Sequence, residues 1–199
     1  TGKRAPSHNN IRMACDENGK IQAMEWHISY EQGAYTEYVQ DLIVKGLFFP
    51  GMGYYIPNAT AISQGCYSNI AHETTYRAFS ATQSMTAVES VMDIMARKLG
   101  MDPFDFRYLN LARPGDTNIN NVPYNEYPFE GMMEMLRPKY EAARKRVAEK
   151  STDTVKCGVG IAFGSYATGS CKDSADIDLE LMPDGSFVNY NTWEDVGQH

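Results

Sequence analysis

Residues 75–83 read Thr-Tyr-Arg-Ala-Phe-Ser-Ala-Thr-Gln and join an extended, strand-like run to an amphipathic helix. Arg77 and Phe79 stand in this stretch among very small residues. Small residues let a backbone come close to a ligand. The start of the helix that follows presents free N–H groups and a positive dipole end, which favour anionic groups. The stretch therefore predicts a loop that contacts an anion or a cofactor.

The residues after this loop predict two helices. Apolar residues recur at helical spacing on one face of residues 84–99, namely Met85, Val88, Met92, Met95 and Leu99. Gly100 is a natural C-terminal stop. Asp102 then caps a second helix that has Pro103 at its first position. We assign the inner face of that helix to Phe104, Tyr108 and Leu111.

The residues before the loop predict a β-hairpin and a short helix. Residues 10–30 alternate in hydrophobicity around a turn at 16–19, with a change of phase near Glu25. Residues 35–49 suit a short helix, which the flanking glycines weaken, and residues 59–67 are typical of an extended strand.

The C-terminal part predicts a helix followed by strands. Residues 128–149 have a helical pattern in which Pro138 should kink or split the element. After a polar link at 150–156, residues 158–166, 175–182 and 187–193 are typical of strands. The fold class expected from the whole chain is α+β, with mixed β-sheets and packed helices.

Composition excludes several classes of partner. The 199 residues are 43% hydrophobic and 22% charged, which fits a soluble globular protein. The net charge of −7, without a basic block, argues against nucleic acid or an anionic membrane as the main partner. No apolar run approaches the roughly 20 residues that span a bilayer, and no signal-peptide pattern begins the chain.

The metal-binding residue types are scattered. The chain has four cysteines without Cys-x-x-Cys spacing, which gives no support to a zinc or iron–sulfur site. Their spacing suits free thiols in a reducing compartment, so we expect a cytoplasmic protein. The chain lacks an initiator Met and stops just after an apparent strand and its turn, and we therefore expect a piece of a longer polypeptide.

Residues 75–83 resemble the cofactor loop of the molybdenum hydroxylases, the family of xanthine dehydrogenase and aldehyde oxidoreductase. In that family the loop runs roughly Ala-Phe-Arg-Gly-Phe/Tyr-Gly-Gly/Ala-Pro-Gln. Further segments are similar to the family in the same order along the chain, at residues 53–58, 99–103, 107–110, 113–117 and 193–198. The resemblance covers essentially the whole chain. It implies a fragment of the molybdopterin-binding large subunit, with residues 1–150 the C-terminal part of the first molybdopterin-binding domain and 151–199 the opening strands of the second.

The resemblance also implies site residues. It places Tyr76, Arg77, Ala78 and Phe79 at the molybdopterin cofactor, with the backbone around Arg77 near the molybdenum. It places Phe79 and Lys45 at the substrate, and Gly197 and Gln198 in a loop that contacts the pterin. Taken alone, Arg77 would be a surface arginine and Phe79 a core residue, and a solvated surface lysine is an equal reading of Lys45.

Three residues of the loop depart from the family pattern. Ala78 and Ser80 replace glycines, and Thr82 replaces a proline. We expect the added side chains to push the backbone away from a cofactor or to force unfavourable φ angles on it. This departure motivates an alternative hypothesis, in which the chain belongs to a non-catalytic homologue that acts as an interaction or scaffold protein. A third hypothesis is a small anion-binding domain that uses the helix start at 83–85.

The activity implied by the resemblance is hydroxylation of aldehydes or N-heterocycles at a molybdenum–pterin centre. A glutamate base assists it, and electrons pass to iron–sulfur clusters, with FAD as an optional further group, on other domains or subunits. No residue here corresponds to that glutamate, so the fragment has no catalytic residue of its own and we expect it to be inactive alone. The implied partners are the remainder of the large subunit, an iron–sulfur domain or subunit, and an aldehyde or heterocycle substrate.

Overall fold

The computed structural model describes residues 3–35, 39–166 and 176–191. It separates into two compact units, Thr1–Ser165 and Tyr166–His199. Helices and strands are mixed along the first unit, which confirms the predicted α+β class. Residues 151–165 fall in the first unit, and the assignment of two molybdopterin-binding domains divided after residue 150 stays a prediction.

A three-stranded sheet forms the centre of the first unit. The predicted hairpin is confirmed as β2 (Ser7–Cys15) paired antiparallel with β3 (Ile21–Glu31). Strand β4 (Ala59–Cys66) joins the other edge of β3 in parallel. A β-bulge shifts the register opposite Cys15, because Cys15 pairs with Ile21 whereas Ala14 pairs with Ala23. The bulge explains the change of phase in the hydrophobic pattern, which lies before Met24.

Helix α1 (Val39–Phe48) covers the sheet, so the short helix expected over residues 35–49 is confirmed. Its position is fixed by a fully buried tryptophan, since the indole Nε1 of Trp26 donates to the carbonyl oxygen of Gly46 over 3.0 Å. A Cβ at Gly46 would lie 2.7 Å from the Tyr30 hydroxyl and from Ser63 Oγ. The absence of a side chain there therefore allows the helix to lie close to β3 and β4.

A second, two-stranded parallel sheet stands next to the loop that opened the sequence analysis. Strand β1 (Lys3–Arg4) pairs with β5 (Glu73–Thr74), and Arg4 lies opposite Thr74. The chain then passes through residues 75–80 into α2 (Ala81–Leu99). This helix begins three residues before the predicted start and ends as predicted, with Gly100 at φ 66° and its N–H bonded to the carbonyls of Ala96 and Arg97.

Helix α3 (Pro103–Leu109) begins at the predicted cap, where the Asp102 side chain accepts from the Phe104 N–H. The predicted inner face is only partly correct. Phe104 and Leu111 are buried, but Tyr108 is half-exposed and Phe106 and Arg107 are fully buried instead.

An ion pair explains the burial of Arg107. Its Nε donates to Glu89 Oε2 over 2.7 Å, and its Nη2 lies 2.8 Å from Asp93 Oδ1. The Tyr54 hydroxyl donates to the other oxygen of Glu89 over 2.6 Å. Burial and the Glu89 charge raise the pKa of Tyr54, so its hydroxyl stays a donor. These groups tie α2, α3 and the loop before β4 together.

Helix α4 (Phe129–Lys150) packs on α3, with the ring centroids of Phe104 and Tyr140 5.2 Å apart. It runs continuously through Pro138, so the predicted element is not split there, and the kink expected as the alternative stays a prediction. The strand predicted over residues 158–166 is also wrong. Val159, Ile161 and Phe163 alternate inward against the core. A strand requires a backbone partner, and no strand of the described part of the chain pairs with this segment.

The second unit is described over residues 176–191, where β6 (Asp178–Leu181) and β7 (Phe187–Tyr190) form the predicted antiparallel hairpin. Asp184 accepts from both the N–H and the hydroxyl of Ser186 in the turn. Within the described ranges, no helix combines the length and hydropathy needed to cross a bilayer.

Candidate functional site

The loop at 76–80 has an unusual backbone. Ala78, Phe79 and Ser80 have positive φ angles of 75°, 29° and 75°. Side chains disfavour this left-handed region, and each such residue costs about 1–3 kcal/mol unless its surroundings impose the conformation. The prediction that Ala78 and Ser80 would occupy unfavourable φ angles is confirmed. The loop closes on itself, because the Phe79 N–H donates to Tyr76 O over 3.0 Å and the Ala81 N–H to Ala78 O over 2.7 Å.

Buried hydroxyl groups hold the inner side of the loop. Ser80 is fully buried, and its hydroxyl is hydrogen-bonded to the hydroxyl of Tyr30 on β3 and, at 3.1 Å, to that of Ser84 on α2. Burial raises the pKa of Tyr30 to about 12, although the hydrogen bonds to Ser80 and Ser84 act in the opposite direction. The Tyr30 hydroxyl is therefore neutral at physiological pH and links the loop to the central sheet.

An arginine holds the outer side of the loop. Arg4 Nη2 donates to the carbonyl oxygen of Arg77 over 2.8 Å, and Arg4 Nη1 donates to Thr82 Oγ1 over 2.7 Å. The same guanidinium lies 5.1 Å from the ring centroid of Tyr76. Its contacts therefore reach the beginning of the loop and the first turn of α2.

The two residues predicted at the substrate lie together. Lys45 Nζ, on α1, lies 4.5 Å from the ring centroid of Phe79, a separation at which an ammonium group is attracted to an aromatic face. Both side chains are half-buried, and Phe79 also packs against the core. The structure thus places Lys45 beside the loop, although the two residues are distant in sequence.

Two of the residues predicted at the cofactor, Tyr76 and Arg77, face outward, whereas Ala78 and Phe79 are half-buried. Tyr76 is 58% exposed and Arg77 is exposed. Among the residues that the structure describes, the guanidinium of Arg77 has no hydrogen bond or ion pair, because only its backbone carbonyl is engaged. The predicted Gly197 and Gln198 lie outside the described residues.

This arrangement fits an anionic cofactor. Residues 76–80 place the exposed side chains of Tyr76 and Arg77 directly before the start of a helix that has no acidic residue in its first turn. No cluster of three or more His, Cys, Asp or Glu side chains that would hold a metal ion occurs within the described ranges.

Sequence reasoning missed three contributors to this site. Arg4, Tyr30 and Ser84 hold the loop through contacts with residues 77, 80 and 82. Nothing local in the sequence marks them, because they act across β1, β3 and α2. The only available signal was Ser80 itself, a polar residue at a position where the family pattern has glycine.

The family model described as "Molybdopterin cofactor-binding domain" matches residues 1–111. The aldehyde oxidoreductase of Megalodesulfovibrio gigas is 39% identical over 199 residues, a match that covers 100% of this chain and 22% of that protein. The xanthine dehydrogenase of Drosophila subobscura is 24% identical over 209 residues, covering 100% of this chain and 15% of that protein. The chain thus spans a minor part of the length of the relatives it matches.

Two solved structures of aldehyde oxidoreductases are also similar to this chain. The aldehyde oxidoreductase from Desulfovibrio gigas superposes with a TM-score of 0.90 at 38% identity, covering 94% of this chain and 21% of that one. The aldehyde oxidoreductase from Desulfovibrio desulfuricans superposes with a TM-score of 0.92 at 38% identity, covering 98% and 22%.

Proposed function

Because the chain belongs to the molybdopterin cofactor-binding domain family, we propose that it forms part of a larger molybdopterin-dependent oxidoreductase that hydroxylates aldehydes or N-heterocycles. The observation that carries this proposal is the loop at 76–80, which combines three positive φ angles with an exposed, unpaired Arg77 before the start of α2. Similarity to two aldehyde oxidoreductase structures over nearly the whole chain supports it.

In this proposal the loop binds the cofactor mainly through its backbone. The peptide groups of Tyr76, Arg77, Ala78 and Phe79 approach the group, and Arg77 places its backbone near the molybdenum. When bound, the molybdenum–pterin group supplies the redox chemistry. The guanidinium of Arg77 provides a fixed positive charge near the developing negative charge of the reaction.

Phe79 and Lys45 act on the substrate. The Phe79 ring offers an apolar face to an aldehyde or a heterocycle, and Lys45, 4.5 Å from that ring, offers a positive charge to its polar atoms. Gly197 and Gln198 contact the pterin, the latter through its amide group. These roles follow from the resemblance and from the juxtaposition of Lys45 and Phe79.

The complete reaction requires groups beyond this chain. The glutamate base lies in the remainder of the large subunit, and the electrons pass to iron–sulfur clusters, with FAD as an optional group, on other domains or subunits. We assign residues 1–150 and 151–199 to successive molybdopterin-binding domains of a cytoplasmic enzyme. It follows that the 199-residue chain alone is inactive and binds little or no molybdopterin. The molybdenum content of the purified chain and its aldehyde-dependent dye reduction test this prediction. Full occupancy with molybdenum together with turnover would refute it.

The decisive experiment uses the larger protein that contains this chain. Arg77→Ala should lower aldehyde-dependent dye reduction at least about tenfold. Groups that support a bound cofactor or stabilise an anion typically contribute about 10–100-fold to activity. Arg97→Ala, in the exposed last turn of α2, is the matched control and should retain normal activity. Equal activity of the two variants would exclude the proposed role of Arg77.

The alternative is a non-catalytic homologue that acts as an interaction or scaffold protein. It is favoured by Ala78 and Ser80, which hold strained backbone angles where the family pattern has glycine. One residue outside this chain distinguishes the two proposals. The enzyme requires a glutamate in the final active-site loop, encoded downstream, whereas the scaffold protein does not. If the chain is instead a small anion-binding domain, phosphate should shift NMR signals only at residues 77–86.

A further inference from the structure

The geometry points to Arg4 as the positioning residue of the loop at 76–80. Among the described residues, the Arg4 side chain is hydrogen-bonded to both the Arg77 carbonyl and the first turn of α2. Arg4 has three acceptors, namely the Arg77 carbonyl, Thr82 Oγ1 and, at 3.4 Å, Gln83 Oε1. They lie 73, 78 and 79 positions away along the chain, on either side of the residues with positive φ. The inference deepens the proposed function, because this loop is the one assigned to the cofactor.

The contact between Arg4 and the loop is reciprocal. Arg4 donates to Thr82 Oγ1, and one residue later the carbonyl oxygen of Ala5 accepts from Gln83 Nε2 over 3.2 Å. Thr82 Oγ1 in turn donates to Gln83 Oε1 over 3.0 Å, which orients the amide. Residues 4 and 5 are thus joined to residues 82 and 83 in both directions.

The backbone of Arg4 is itself fixed. Arg4 is paired with Thr74 in the parallel β1–β5 sheet, and the neighbouring Ala5 is buried in the core. The guanidinium therefore starts from a rigid position and reaches the loop as a defined fork. Tyr30 holds the opposite, inner side through Ser80, so Arg4 is the outer of two supports.

An arginine is required for this contact. Its planar group presents separate N–H donors at fixed angles and serves two acceptors at once, whereas a lysine ammonium at the end of a flexible stem does not reproduce that fork. If Arg4 supplied only a positive charge, a lysine at this position would serve equally well. The comparison of Arg4→Lys with Arg4→Ala therefore separates positioning from electrostatics.

Arg4 affects function by fixing the orientation of the loop backbone. The Arg77 carbonyl that accepts from Arg4 belongs to the peptide unit that leads into Ala78, the first residue with positive φ. Loss of Arg4 releases this peptide and the exposed Arg77 side chain without removing any residue from the cofactor contact. Misplacement of this kind costs activity while leaving substrate binding nearly unchanged.

The first measurement uses the 199-residue chain and does not depend on cofactor. Backbone amide NMR shifts of residues 76–83 should move in both Arg4→Ala and Arg4→Lys. Apart from the immediate neighbours of Arg4 and its strand partner Thr74, the remaining amides of the first unit should stay unchanged. Arg12→Ala is the matched control, since Arg12 is exposed and pairs with the exposed Glu25 on β3. Unchanged loop shifts in Arg4→Ala would overturn the inference.

The second measurement uses the molybdenum-loaded larger protein. Arg4→Ala and Arg4→Lys should both lower molybdenum content or kcat per bound molybdenum about tenfold, with KM within about threefold of the parent value. Full activity of Arg4→Lys would overturn the positioning role. If the parent protein itself binds no molybdenum, the proposed function fails, and the NMR comparison still decides whether Arg4 positions the loop.

Discussion

The hydroxyl of Tyr30 on β3 is hydrogen-bonded to the hydroxyl of Ser80, the residue that precedes α2, and both side chains are fully buried. The bond joins the central sheet to the loop across 50 positions of the chain. Ser80 has a φ of 75°, so the hydrogen bond stabilises a backbone conformation that serine otherwise disfavours. The side chain that strains the loop is thus also the one that anchors it.

Tyr30 should make stability depend on pH in the alkaline range. Its pKa is raised from 10 to about 12 by burial, so the folded state keeps the proton where the unfolded state has lost it. The free energy of unfolding therefore contains the full contribution of Tyr30 below pH 10 and loses up to about 3 kcal/mol as the pH rises through 12. Urea unfolding at pH 9 and 12 measures this loss.

Tyr30→Phe identifies the source of that loss. The variant should be less stable at pH 9 by about 1 kcal/mol, since it lacks the bond to Ser80. The difference from the parent chain should shrink or reverse at pH 12. Tyr35→Phe alters an exposed residue and serves as the control. The same difference in free energy of unfolding at both pH values would contradict the assignment to Tyr30. Because the pKa of Tyr54 is also raised, every variant should lose some stability at alkaline pH.

Ala78→Gly should stabilise the chain or leave it unchanged. Glycine adopts a φ of 75° without the steric cost that alanine incurs, and this gain of about 1–2 kcal/mol exceeds the extra entropy of glycine in the unfolded state. Ala87→Gly, inside α2, should instead destabilise by about 1 kcal/mol. Denaturant unfolding compares the two variants, and a larger loss for Ala78→Gly would show that the loop does not have these angles in solution.

The Glu89–Arg107 ion pair should be essential for stability. Arg107→Met leaves the Glu89 carboxylate buried without its partner and should cost about 3–5 kcal/mol. The double variant Glu89→Leu with Arg107→Met should lose much less than the sum of the single losses. Arg12→Ala removes an exposed pair and should cost less than about 1 kcal/mol. Additive losses at residues 89 and 107 would be incompatible with the observed pairing.

Local signals in the sequence predicted the local features of the fold. Asp102, Pro103 and Gly100 define helix ends through interactions within a few residues, and all three were predicted correctly. The hairpin followed from alternation and its turn. The strand expected over 158–166 failed because alternation records which side chains face the core, as Val159 and Ile161 do, but not whether a neighbouring strand is available.

Long-range contacts were beyond sequence reasoning. Arg107 is charged and would be expected at the surface, and its contacts with Glu89, 18 positions away, and with Asp93 explain its burial. Arg4 acts on a loop more than 70 positions away. The resemblance identified the loop, but the groups that hold it became visible only when β1, β3 and α2 were placed together.

Residues 76–79 are proposed to contact a molybdenum–pterin group. A crystal structure of the larger protein that contains this chain, prepared with sufficient molybdenum, tests this proposal most directly. We predict density for the cofactor within hydrogen-bonding distance of the backbone between Tyr76 and Phe79, with Arg4 still bound to the Arg77 carbonyl. Cofactor density elsewhere, with this loop turned away from it, would contradict the account.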